Sequence, residues 1–125
     1  MRRIVGALLI GLAVASLGGC AQPVYDVKDA PVIQQLTADQ VKLAIRRAGA
    51  TLGWQMKEVQ PFLLEGTLYL RTHMARVSIP YSTQHYSIVY KDSQNLLYDG
   101  TNIHKNYNGW IKNLDNGIKL QLGLL

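Results

Sequence analysis

Apolar residues recur along this chain at two spacings, and each predicts a different kind of element. Val41, Ala44, Ile45, Ala48 and Leu52 fall at helical spacing, with Lys42, Arg46 and Arg47 off the stripe. Thr37-Ala38-Asp39-Gln40 ahead of them has the form of a capping box, with Thr37 as N-cap. Gly49 and Gly53 are read as the end of this helix. From Trp54 to Tyr90 the period changes to two. Four β-rich segments are separated by breaks near Gln60-Pro61, Thr72-His73 and Ser82 to Gln84, which predicts an antiparallel meander. Each segment has one apolar and one mixed face, as expected of a sheet covered on one side only. Residues 91–101 read as a loop, with Asp99-Gly100 as its turn. The helical period returns in Ile103, Tyr107, Trp110, Ile111, Leu114 and Ile118, although Asn and Gly interrupt it and require support from tertiary packing. The expected fold class is therefore α+β and two-layered: a four-stranded antiparallel meander with an N-terminal and a C-terminal helix on one face.

The first twenty residues follow another logic. Arg2 and Arg3 precede an apolar run from Ile4 to Leu17, then Gly18, Gly19 and Cys20. A short positive start, a short apolar core and small residues before a cut describe a secretory signal peptide. The run is shorter than the roughly 20 residues a membrane-spanning helix needs. Leu17-Gly18-Gly19-Cys20 resembles the lipobox of bacterial lipoproteins. That resemblance implies cleavage after Gly19, lipid on Cys20 and membrane attachment through it. With Ala21 rather than Asp after the cysteine, it also implies the outer membrane, periplasmic side. The expected organisation is a signal peptide over 1–19, a lipidated tether over 20–36 carrying Pro23 and Pro31, and one domain over 37–122.

This reading changes what composition means. Cys20 is the single cysteine, so no intramolecular disulfide is available, and acylation accounts for an otherwise isolated thiol. Without residues 1–19, 106 of the 125 residues remain, and the formal charge falls from +5 to +3 because Arg2 and Arg3 leave. The remaining basic residues are dispersed, which argues against nucleic acid as a partner. No glycine-rich nucleotide fingerprint is present, and neither a cofactor nor a metal is expected: His73, His85 and His104 are far apart, with no close ligand pair.

The most distinctive stretch is Tyr86-Ser87-Ile88-Val89-Tyr90 through Ser93-Gln94-Asn95-Leu96, then Ile103-His104-Lys105-Asn106-Tyr107-Asn108-Gly109-Trp110. It resembles a family of small, functionally uncharacterised proteobacterial lipoproteins over roughly Thr37 to Leu120. The resemblance implies no activity. Ser93, Asn95, His104, Asn106, Tyr107, Asn108 and Trp110 are the candidate motif, with two readings. In one, Asn95, His104 and Asn106 bond loop backbone and fix the helix against the sheet while Tyr107 and Trp110 fill the core. In the other, His104, Asn106 and Asn108 line a polar pocket beside the loop. A second candidate surface is the polar sheet face, where Tyr69, Arg71 and Arg76 suit a partner protein, an anionic glycan or a lipid phosphate. The expected function is a non-catalytic envelope module binding a protein or cell-wall component. The alternative is a small periplasmic hydrolase using His104, for which Ser93 with Asp92 or Asp99 supplies the residue types but no nucleophile elbow.

Overall fold

The computed structural model describes residues 20–125; the signal-peptide assignment over 1–19 lies outside them. The chain runs β1 (Ala21–Pro23), β2 (Val27–Pro31), α1 (Ala38–Leu52), β3 (Gln55–Gln60), β4 (Leu63–Leu70), β5 (His73–Pro80), β6 (His85–Gln94), β7 (Asn102–His104) and α2 (Lys105–Gly123). Among the described residues the fold is α+β, with two helices and antiparallel strands, as the periodicities predict.

The capping box forms in full. Thr37 Oγ1 accepts from the Gln40 N–H at 3.2 Å, and Gln40 Oε1 accepts from the Thr37 N–H at 2.9 Å. The helix does not stop at Gly49, however, but continues to Leu52 and ends on Gly53, whose left-handed φ of 87° suits glycine. Gly49 has a packing reason instead: a Cβ there would meet Met56 Cε at 2.6 Å.

Strands β3 to β6 make the expected meander, yet the sheet they belong to has five strands, in the order β2-β6-β5-β4-β3. The fifth, β2, pairs antiparallel with β6 at Val27↔Ile88, Ala30↔Tyr86 and Pro31↔His85. A bulge separates the first two pairs. There Asp29 takes φ 50° and its N–H donates to Ser87 Oγ at 3.0 Å. A further two-stranded sheet joins β1 to β7 through Ala21↔His104, Gln22↔Ile103 and Pro23↔Asn102. Thus the four-stranded expectation is corrected, and residues 20–36 contribute β1 and β2 to the two sheets. Pro23 and Pro31 do not prevent this, because both β1 and β2 are edge strands, where an absent N–H can face outward.

Two boundaries also move. Strand β6 continues through Gln94, so the loop is shorter than 91–101, and Ile103 belongs to β7 rather than to the helical stripe. Apolar residues of α1, α2 and the inner strand faces form one core. Ile45, Leu64, Ile79, Ile88, Ile111, Leu114 and Ile118 are fully buried in it. Each such side chain contributes on the order of 1.5–3 kcal/mol. One charged contact enters this layer: the buried Asp115 of α2 accepts from the Tyr86 hydroxyl and from Lys119 Nζ at 3.2 Å. Burial, with Asp115 alongside, pushes the Tyr86 hydroxyl far above the ordinary tyrosine value.

The topology gives the molecule two ends. At one lie Cys20, β7, the start of α2, the β4–β5 turn and the loop after β6. At the other lie the β3–β4 turn, the residues after β2 and the end of α2.

Candidate functional site

The loop between β6 and β7 is shaped by two residues in the left-handed region, Asn95 at φ 56° and Leu97 at φ 58°. Asparagine tolerates that conformation well, and leucine does not. Cross-loop bonds hold it in place. Asn95 Nδ2 donates to Thr72 Oγ1 at 2.7 Å, and the Asn95 carbonyl lies 2.7 Å from His73 Nδ1. The His104 N–H donates to the Leu96 carbonyl at 2.8 Å. Asp99 closes the following turn by accepting from the Thr101 and Asn102 N–H groups at 2.9 and 2.7 Å. Those donors hold the Asp99 carboxyl below the usual range.

This loop and the end of β6 enclose an open cleft of about 570 Å³, lined by Tyr90 to Ser93 and Asn95 to Tyr98. Its base is a cluster of tyrosines. Tyr98 stacks on Tyr90 at 4.1 Å, and Tyr107 meets Tyr90 edge-on at 5.7 Å. The Tyr90 hydroxyl is 2.7 Å from Ser93 Oγ. Its backbone N–H donates to Asp26 Oδ1 at 2.9 Å. Burial pushes the Tyr90 hydroxyl up, against a lowering by Ser93. Tyr107 is fully buried and its hydroxyl has no hydrogen-bond partner among the described residues. Burial pushes it up strongly, with Asp26 adding to the effect.

The seven residues of the motif are therefore divided. Ser93 and Asn95 border the cleft, and Tyr107 lies beneath its tyrosines. His104 is the N-cap of α2: Nδ1 accepts from the Asn106 N–H at 3.1 Å, leaving the ring proton to Nε2. Asn106 is otherwise an exposed residue of the first turn. Asn108 is buried and fully used. Its Oδ1 accepts from the Tyr25 N–H at 2.9 Å, and its Nδ2 donates to the Pro23 carbonyl at 2.9 Å and to Gln22 Oε1 at 3.4 Å. Trp110, half-buried against the core, sits 6.4 Å from the His73 ring. Ser93 and His104 are not bonded to one another; each has a partner of its own. No known protein family, curated protein or solved structure matches this chain.

The second candidate surface is divided too. Arg76 is engaged within the sheet, donating from Nε to Thr67 Oγ1 at 3.1 Å. It lies 3.7 Å from Glu65 and 3.9 Å from Asp92. Lys91 pairs with the same Glu65, and these cations, Lys91 first, hold its carboxyl low. Tyr69 and Arg71 instead stand at the β4–β5 turn, where Arg71 takes φ 56° and both are exposed. Sequence reasoning missed Leu97 and Tyr98 as site residues. The available signal was a pair of large apolar side chains inside an otherwise polar loop.

Cys20 is fixed beside the start of α2. Its carbonyl accepts from the Lys105 N–H at 2.9 Å, immediately before the β1–β7 pairing. Cys20 itself is exposed. Among the described residues no helix is long and apolar enough to cross a membrane.

Proposed function

We propose that this protein is an envelope lipoprotein, acylated on Cys20 and held to the outer membrane on its periplasmic side. On this reading it is a non-catalytic binding or accessory module. The observation that carries the reading is the bond from Lys105 to the Cys20 carbonyl, continued by the β1–β7 ladder. It sets an exposed thiol at the edge of the folded domain, at the same end as the cleft. Lipid there is attached with almost no intervening chain, so the anchor also orients the domain. A free tether of 17 residues would instead span up to about 60 Å.

The hydrogen bonding of the motif supports a binding rather than a catalytic role. His104 is used as a helix cap, Asn108 as a clamp on the chain before β2, and Ser93 as a partner of Tyr90. A general base needs a ring nitrogen aimed at a reacting proton, and a nucleophile needs that base beside it. The cleft offers hydroxyls, an amide edge and an aromatic wall, which suit recognition of a polar envelope component.

Metabolic labelling with a fatty-acid analogue tests the anchor. The wild type should carry label and sediment with outer membranes, while Cys20→Ser should carry none and should not reach outer membranes. Label on the Cys20→Ser protein, or an unlabelled wild type, would contradict the proposal.

A further inference from the structure

Both ends of the molecule expose apolar side chains, but only one of them carries Cys20. There the β4–β5 turn exposes Tyr69 (59%) and Leu70 (44%), and the loop after β6 exposes Leu97 (66%) and Tyr98 (41%). The two segments are tied side by side through the Asn95–Thr72 bond. The second is tied to β7, and so to Cys20, through His104 and Leu96. Arg71 and Lys105 are exposed on the same end, and among the described residues neither pairs with a carboxylate. The acids nearby are occupied: Asp92 lies beside Arg76, and Asp99 accepts the N–H groups of its own turn.

From this juxtaposition we infer that the Cys20 end is itself a membrane-contacting surface, seated on an anionic phospholipid bilayer. Leu70 and Leu97 enter the boundary between headgroups and acyl chains. Tyr69 and Tyr98 lie at headgroup level, where a ring with a polar tip is favoured. Arg71 and Lys105 reach lipid phosphates by extending their stems over the apolar surface. The polar cleft beside Tyr98 then opens onto headgroups. The inference rests on the reading of Cys20 as the lipid site, because that reading chooses this end over the other. Among the described residues, no site for a lipid anchor lies beside the exposed apolar side chains of the far end, Phe62 and Ile33. A covalent lipid and a protein surface acting together make a firmer and more oriented attachment than the lipid alone.

The single thiol permits a direct test. Mature chain (residues 20–125) coupled through Cys20 to a maleimide lipid in phosphatidylethanolamine–phosphatidylglycerol vesicles reproduces the anchor without cellular processing. Amide hydrogen exchange at 69–72 and 96–99 should slow by about tenfold on coupling, a change equal to roughly 1.4 kcal/mol, with 32–36 and 60–63 unchanged. The double variant Leu97→Asp with Leu70→Asp should remove the protection and keep the circular dichroism of the wild type. Lys105→Glu should reduce it without lowering Tm, since a glutamate suits the start of a helix better than a lysine. Unchanged exchange at both segments, or slowing at 32–36 and 60–63 instead, would overturn the membrane-contact proposal. An unacylated Cys20 in protein from native envelopes would overturn the anchoring reading beneath it, and the coupled vesicles distinguish the two failures.

Discussion

The two ends of the molecule are closed by different physics. The Cys20 end is fastened by polar bonds between segments far apart in sequence: Asn108 to residues 22–25, Asn95 to Thr72, His104 to Leu96 and Lys105 to Cys20. The far end is joined by backbone bonds, Val32 N–H to the Gln84 carbonyl at 2.8 Å and Tyr81 N–H to the Phe62 carbonyl at 3.0 Å, and by apolar contact. Phe62 meets Tyr81 at 6.0 Å, and Ile33 is 82% exposed beside an open cavity of about 290 Å³ lined by Pro31, Ile33, Gln34, Lys119 and Leu122. Polar bonds are directional, so the first end is fixed in geometry while its apolar side chains remain exposed. Contact surfaces need that combination. The far end exposes apolar area too, but among the described residues no buried side-chain amide bridges distant segments there as Asn108 does.

The largest effect should come from the layer that joins both ends. Asp115→Ala removes the partner of the buried Tyr86 hydroxyl and should lower stability by about 2–4 kcal/mol, read by chemical denaturation. Next, Asn108→Ala should cost about 1.5–3 kcal/mol. It sharpens the comparison because its exchange signature should be local: faster at 21–26, with β4 and β5 still protected. Global loosening would mean that the clamp is not particular to this end.

Alkaline pH tests the tyrosines beneath. Tyr86 and Tyr107 both have folded-state values raised above 10.0, so the folded state holds their protons more tightly than the unfolded chain does. Their stability contribution is complete below pH 10 and should be lost progressively above it. Spectrophotometric titration should show two tyrosines ionising only on unfolding. Tyr107→Phe should raise stability by up to about 1 kcal/mol, since it deletes a buried hydroxyl that has no partner. The smallest change, Lys105→Glu, should stabilise α2 by about 0.3–1 kcal/mol at low salt.

What the sequence revealed and what it concealed divide along the same line. Helix α1 was legible because its capping box and apolar stripe are local signals. Strands β3 to β6 were legible because alternation is local too. Strands β1 and β2 were not, since three and five residues containing proline carry no period; they become strands only by pairing with β7 and β6, far along the chain. Ile103 fits a helical stripe as well as the buried position of a strand, so periodicity alone starts α2 too early. In the candidate site, Asn95 advertised its left-handed backbone but Leu97 did not, so the cleft could not be drawn from residue types. Arg76 read as available because its partners Glu65, Thr67 and Asp92 sit on neighbouring strand positions and on a bulged strand.

The central claim is that Cys20 is joined to the domain without slack, and a nitroxide label on that single thiol measures it most directly. Electron paramagnetic resonance of the labelled mature chain should show restricted motion that follows the tumbling of the whole protein, released by Asn108→Ala. Rapid, nearly isotropic motion of the label in the wild type would mean that the residues after Cys20 form a free tether, and would contradict the account.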